Sequence, residues 1–144
     1  MKKLTVKSIA LFFLGFSLLG LVDASYLTYE HYANKFVPCN IGGCEQVLSS
    51  EYSEIYGIPT ALLGVGYYLT IITIILVYRK TKNVSILKYL SYFTAIGFIV
   101  SVFLVYLQFA IIKSICPYCM FSAFTSTTLF IIGIYYLYSL SEVK

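Results

Sequence analysis

The stretch PTALLGVGYYLTIITIILVYRKTKNVSILK, residues 59–88, decides the fold. Residues 59–78 carry no charge and no polar–apolar alternation. A helix of about 20 residues at ~1.5 Å per residue covers the ~30 Å hydrocarbon core of a bilayer. Lipid offers backbone amides no partner, so only helices and closed barrels cross it, and the missing two-residue period selects the helix. Arg79, Lys80, Lys82 and Lys88 then arrive together. Such a cluster directly after an apolar run marks a turn at a membrane face.

Three further runs of the same kind flank this one, at about residues 9–29, 86–112 and 117–138. The expected fold is an all-α membrane protein: a bundle of four transmembrane helices forming a single domain over residues 1–144. Composition agrees, with 60% apolar and 11% charged residues. Soluble domains run nearer half and a quarter. The net charge of +4 does not point to nucleic acid, because the basic residues lie in short clusters between apolar runs. The amino end, MKKLTVKSIALFFLGFSLLGLV, also has the form of a signal peptide, but apolar character continues through Ala24–Tyr29, so it reads as the first span.

Charge sets the expected orientation. Lys2, Lys3, Lys7, Arg79, Lys80, Lys82, Lys88 and Lys144 fall on one side, and only Lys35 and Lys113 on the other. The positive-inside rule puts both termini in the cytoplasm of a cell that carries this chain in its plasma or inner membrane. Cys39, Cys44, Cys116 and Cys119 then all lie at the outer face, where disulfides persist.

Cys116 and Cys119 belong to CPYC, residues 116–119. Proline suits the first turn of a helix, so Cys116 is expected at the helix start and Cys119 one turn deeper. That spacing is compatible with a disulfide, and the positive helix end favours a thiolate at Cys116. Cys39 and Cys44 flank Gly42 and Gly43, which free the backbone for a tight turn. The second pair reads as a structural staple, worth roughly 2 kcal/mol by chain entropy, or as a relay partner for the first. Four thiolates could also hold zinc, but one pair is C-x4-C and the outer face disfavours reduced cysteines, so no metal site is expected.

The outer loop covers about residues 33–58. Within it, Val47, Leu48, Tyr52, Ile55 and Tyr56 fall near helical spacing opposite Glu45, Glu51 and Glu54. This predicts a short amphipathic helix on the outer surface, stopped by Gly57, with Pro59 opening the next span. Asp23 lies about 14 residues into the first span, ~21 Å from its inner end and level with the cysteines. It either snorkels to the span end or serves the thiol chemistry as proton carrier or electrostatic partner. No nucleotide fingerprint, haem motif or iron–sulfur run supplies a final electron acceptor. A lipid-soluble quinone suits Cys119 facing an apolar bundle.

These residues resemble the vitamin K epoxide reductase family in its standalone microbial form. The resemblance rests on DASYLTYE (23–30), CNIGGCEQVLSS (39–50), YGIPTALLG (56–64) and CPYC (116–119), and covers nearly the whole chain. DsbB-type oxidases, relatives in fold, carry their C-x-x-C in the first outer loop instead. The resemblance implies a thiol oxidoreductase that supports disulfide formation outside the cytoplasm. Cys116 and Cys119 would be the catalytic pair, Cys119 nearest a ubiquinone or menaquinone. Cys44 would exchange with a thioredoxin-like (DsbA-like) partner acting in trans, and Cys39 with Cys116. Vertebrate members place a tyrosine where this chain has Ala123 and an asparagine where it has Thr60. Thr60 and Ser50 are therefore the candidate donors to the quinone carbonyls. The competing reading is a membrane protein that binds or transports a soft metal between thiolate pairs.

Overall fold

The computed structural model describes residues 2–33 and 43–141. Four long helices dominate: α1 (Lys2–Tyr32), α3 (Thr60–Thr81), α4 (Val84–Tyr106) and α5 (Pro117–Ser141). Between α1 and α3 lie a short helix α2 (Cys44–Leu48), a 3-10 turn (Glu51–Ser53) and a two-strand hairpin, β1 (Glu54–Ile55) and β2 (Ile58–Pro59). Segments Val6–Tyr32, Thr60–Thr81, Val84–Ile112 and Pro117–Ser139 are each long and apolar enough to cross a membrane. The chain is thus a multi-pass helical membrane protein, with the expected spans extended by a few residues at most ends.

Each connection has a local cause. α3 ends at Lys82, whose left-handed backbone (φ 53°) lets its N–H reach the Tyr78 carbonyl at 2.7 Å. Arg79 and Lys80 in the last turn offset the negative helix end. Asn83 starts α4 at once, its side-chain oxygen accepting the Ser85 N–H at 3.1 Å. The expected third span stays helical to Ile112, but its last six residues, Leu107–Ile112, form a π-helical turn. It closes at Lys113, again left-handed, whose N–H reaches the Gln108 carbonyl.

The outer loop departs from expectation in detail. A short helix is present, but it stops at Leu48. The Ser50 hydroxyl donates to the Val47 carbonyl at 2.7 Å and draws the chain out of the helix. Ile55 and Ile58 pair across a two-residue turn in which Tyr56 (φ 54°) and Gly57 (φ 78°) are both left-handed, the requirement of a type I′ hairpin. Gly57 is therefore a hairpin residue and not a helix stop, and Pro59 ends a strand before α3 begins at Thr60.

In the bundle, α1 packs chiefly on α3 and α5, and α4 chiefly on α5, while α3 meets α4 over much less surface. The core joins Phe13 of α1, Tyr68, Ile71 and Ile75 of α3, Leu87 and Leu90 of α4, and Leu129 and Tyr136 of α5. Tyr68 ties three helices: its ring covers Gly20 of α1, and its hydroxyl lies 2.8 Å from Thr125 Oγ1 of α5. Small residues let backbones approach, as lipid-embedded helices require. A Cβ on Gly133 would lie 2.9 Å from Thr94 Oγ1 and 3.2 Å from the Ser91 Cα.

Gly133→Leu is expected to wedge α4 from α5 and destabilise the bundle by ~1–3 kcal/mol. Gly15→Leu, with nothing within 4 Å of the added carbon, should leave stability unchanged. Thermal unfolding in detergent, read by circular dichroism, compares the two.

Candidate functional site

The site is built on the first turn of α5. Pro117 is the first helical residue, and the Cys116 carbonyl accepts the first intrahelical bond, from the Met120 N–H at 3.0 Å. Cys116 is therefore the N-cap, a place usually taken by Ser, Thr, Asp or Asn. Its sulfur does what their oxygens do, accepting the backbone N–H groups of Tyr118 and Cys119. The Cys119 thiol, at the third helical position, bonds to the same sulfur.

That environment sets the acidity of Cys116. The hydrogen bond from the Cys119 thiol does most to hold its pKa down, from 9.0 to about 7, and the two backbone N–H groups add to it. Burial and the charge of Asp23 work in the other direction. Cys116 is fully buried, and both it and Cys119 are free thiols. A thiolate-prone sulfur paired with a neighbouring thiol is the equipment for disulfide exchange.

The outer loop brings the second sulfur. Cys44 opens α2 and is disulfide-bonded. It is fully buried, in one cluster with Val47 and Cys116, and Tyr26, Tyr118, Ile112 and Cys119 pack around them. Two contacts hold the loop there. The Ser114 hydroxyl donates to the Gln46 side-chain oxygen. Gly43 (φ 137°) lies so close to the Ile115 carbonyl that a Cβ would meet it at 3.0 Å. Cys39 lies outside the described residues.

Beneath this layer is a cavity of about 640 Å³, lined mostly by apolar groups of α3, α4 and α5 and roofed by the outer loop. Cys119, Ser50 and Thr60 all line it. The two hydroxyls, however, already donate inside the chain, Ser50 to Val47 and Thr60 to the Ser53 carbonyl at 2.8 Å. Ala123 also lines the wall. Asp23 is 8% exposed and its Oδ2 has no hydrogen-bond partner, so it does not snorkel to water. Its neighbour Ala24 faces the cavity. Among the described residues, no three His, Cys, Asp or Glu side chains converge as metal ligands would.

One residue here went unread in the sequence. Gln108, in the π-helical turn, is 3% exposed, lines the cavity, and accepts the Cys116 N–H on Oε1 at 3.0 Å. The N-cap amide is ordinarily taken by a Glu or Gln at the third helical position. Here that position is Cys119, and Gln108 reaches over from the π-helical turn in its stead. The available signal was that Gln108 is the one carboxamide in any of the four apolar runs.

Known proteins resemble this chain over most of its length. A model of the vitamin K epoxide reductase family matches residues 11–134, which include all four cysteines. A protein of Arabidopsis thaliana, thiol-disulfide oxidoreductase LTO1, is 28% identical over 123 residues, 79% of this chain and 33% of that protein. The chain thus spans about a third of the length of that curated relative.

Alkylation of Cys116 by iodoacetamide should accelerate as pH rises through about 7, as the thiolate forms. Cys119→Ala removes the main stabilising hydrogen bond, so the midpoint should rise toward 9.0 and the rate at pH 7 fall roughly tenfold or more. Mass spectrometry of the labelled peptide reads both.

Proposed function

Because the chain belongs to the vitamin K epoxide reductase family, we propose that it is a membrane thiol:disulfide oxidoreductase that moves electrons from an outer partner to a quinone. One observation carries the reading: the CPYC pair stands between a disulfide-bonded cysteine on its outer side and an apolar cavity on its inner side. Cys116 is buried with Cys44, while Cys119 lines the cavity.

Electrons enter when a partner thiolate attacks a disulfide between Cys39 and Cys44. The two thiols so formed reduce a Cys116–Cys119 disulfide by exchange, Cys39 attacking Cys116. Each exchange conserves electrons, breaking one S–S bond and forming another. The arrangement of free Cys116 and Cys119 beside disulfide-bonded Cys44 matches the stage at which electrons rest on the inner pair. The cavity volume falls within the ~300–1,000 Å³ usual for small-molecule sites, and its apolar lining suits a lipid-soluble carrier. A quinone bound there supplies a two-electron, two-proton acceptor. Two partner thiols become a disulfide, and ubiquinone or menaquinone becomes its quinol.

The chain's own residues manage the protons and the carbonyls. Asp23, buried with a free carboxylate oxygen, takes a proton released as the inner thiols are oxidised. Ser50 and Thr60 border the ligand and contribute lone pairs and shape. The partner is a thioredoxin-like (DsbA-like) protein acting in trans at the outer face, with both termini of this chain in the cytoplasm. The excess of Lys and Arg on the side of the α3–α4 turn supports that orientation.

Purified protein in lipid, given a quinone and a reduced thioredoxin-like protein, should lower the quinone's ultraviolet absorbance as the partner gains a disulfide. Cys116→Ala and Cys119→Ala should each abolish turnover, and retained turnover in either rejects the assignment. Cys39→Ala should block the protein donor far more than dithiothreitol, which reaches the inner pair directly; equal loss with both donors would exclude the relay. Asp23→Asn should slow turnover by about 10²-fold, the usual worth of a positioned proton acceptor.

A further inference from the structure

Within that proposed function, we propose that Gln108 is a ligand-binding residue: its side-chain amide donates a hydrogen bond to a carbonyl of the quinone, while its oxygen fixes Cys116. The argument begins with the Cys116 N–H, which can bond only to an acceptor. The atom of Gln108 at 3.0 Å from it must therefore be oxygen. Nε2, with two N–H groups, is then forced to the other side of the carboxamide. No side chain or backbone group among the described residues accepts from it. Gln108 is 3% exposed, so this amide is not spent on bulk water either. What the residue does face is the cavity, together with Leu107, Ile112, Cys119 and Ser122.

Four hydroxyls of the wall are already engaged. Ser50, Thr60, Thr70 and Ser126 each donate their hydroxyl hydrogen to a carbonyl of the chain itself. The Tyr67 hydroxyl has no partner, but its oxygen is covered where the ring lies against Gly97. A buried amide without an acceptor is costly, so a ligand bearing a carbonyl gains from satisfying it. The π-helical turn is what makes the dual role possible. The Gln108 carbonyl takes N–H groups from Lys113 and from Ser114, the latter at 3.2 Å, so backbone and side chain together fasten the α4–α5 linker below Cys116. Such turns recur at functional sites. The donor to the ligand thus comes from the π-helical turn that follows α4.

The test is quinone titration of the purified protein in lipid with dithiothreitol as electron donor. Gln108→Met keeps the length and loses both polar ends. The quinone KM should rise at least tenfold. An unchanged quinone KM, even with a lowered kcat, would leave Gln108 as a positioning residue for Cys116 alone and overturn the proposal. Should this variant fail to fold, infrared difference spectra of quinone bound to the unsubstituted protein decide the matter. Replacing glutamine with its 15N-amide form should shift the band of one ligand carbonyl that is already lowered relative to quinone in lipid. Two carbonyl bands at their lipid frequencies, insensitive to the label, would overturn it. Absence of any quinone reduction by the unsubstituted protein would instead reject the underlying function, and this inference with it.

Discussion

The sulfur of Cys116 serving as a helix cap is the interaction on which this site depends. A helix start leaves amides unpaired and carries partial positive charge. Most helices answer with an oxygen. Here the answer is a sulfur whose anionic form is the one the capping groups favour, so the local stability of α5 and the reactivity of the thiol rise together. Placing the second cysteine at the third helical position puts its thiol on the same sulfur. That choice displaces the usual Glu or Gln from the cap, and Gln108, in the π-helical turn after α4, restores the missing acceptor. The chemistry of two cysteines therefore reaches into the design of a neighbouring helix.

Around that cap, the bundle separates two environments. On one side of it, Gly43, Gln46 and Ser114 seat the α1–α3 loop so that Cys44 is buried with Cys116. On the other, polar side chains are made compatible with lipid one at a time. Thr28, Thr70, Thr73, Ser91, Thr127 and Thr128 each return their hydroxyl to the carbonyl four residues back. Asp23 stands apart, with an oxygen that nothing in the described chain satisfies. Among the described residues it shares that condition with the Tyr67 hydroxyl alone, and of the two only Asp23 bears a carboxyl group.

The four helices were legible because uncharged runs of that length have one solution in lipid. The start of α5 was legible because Pro117 allows few alternatives. The hairpin was not. Val47, Leu48, Tyr52, Ile55 and Tyr56 suit a helical face by spacing, and Tyr56 gives no hint that it adopts a left-handed backbone. Ser50 was read as a donor to a ligand, whereas its hydroxyl bonds the Val47 carbonyl where α2 ends. Ser50, Thr60 and Cys119 all line the cavity, but that the two hydroxyls are spent on carbonyls of the chain itself lay beyond any sequence pattern. Gln108 was overlooked for a different reason: a single amide in a long apolar run is ambiguous until the residue it caps is known.

The sparse packing between α3 and α4 has a consequence of its own. Val100 and Phe103 of α4 line the cavity yet remain half exposed. A lipid-soluble carrier of the proposed kind would then arrive sideways from the bilayer, by diffusion in two dimensions. Its effective concentration is a mole fraction among acyl chains, indifferent to the volume of water outside. Occupancy would then follow the composition and fluidity of the membrane, with the lipid phase as its reservoir.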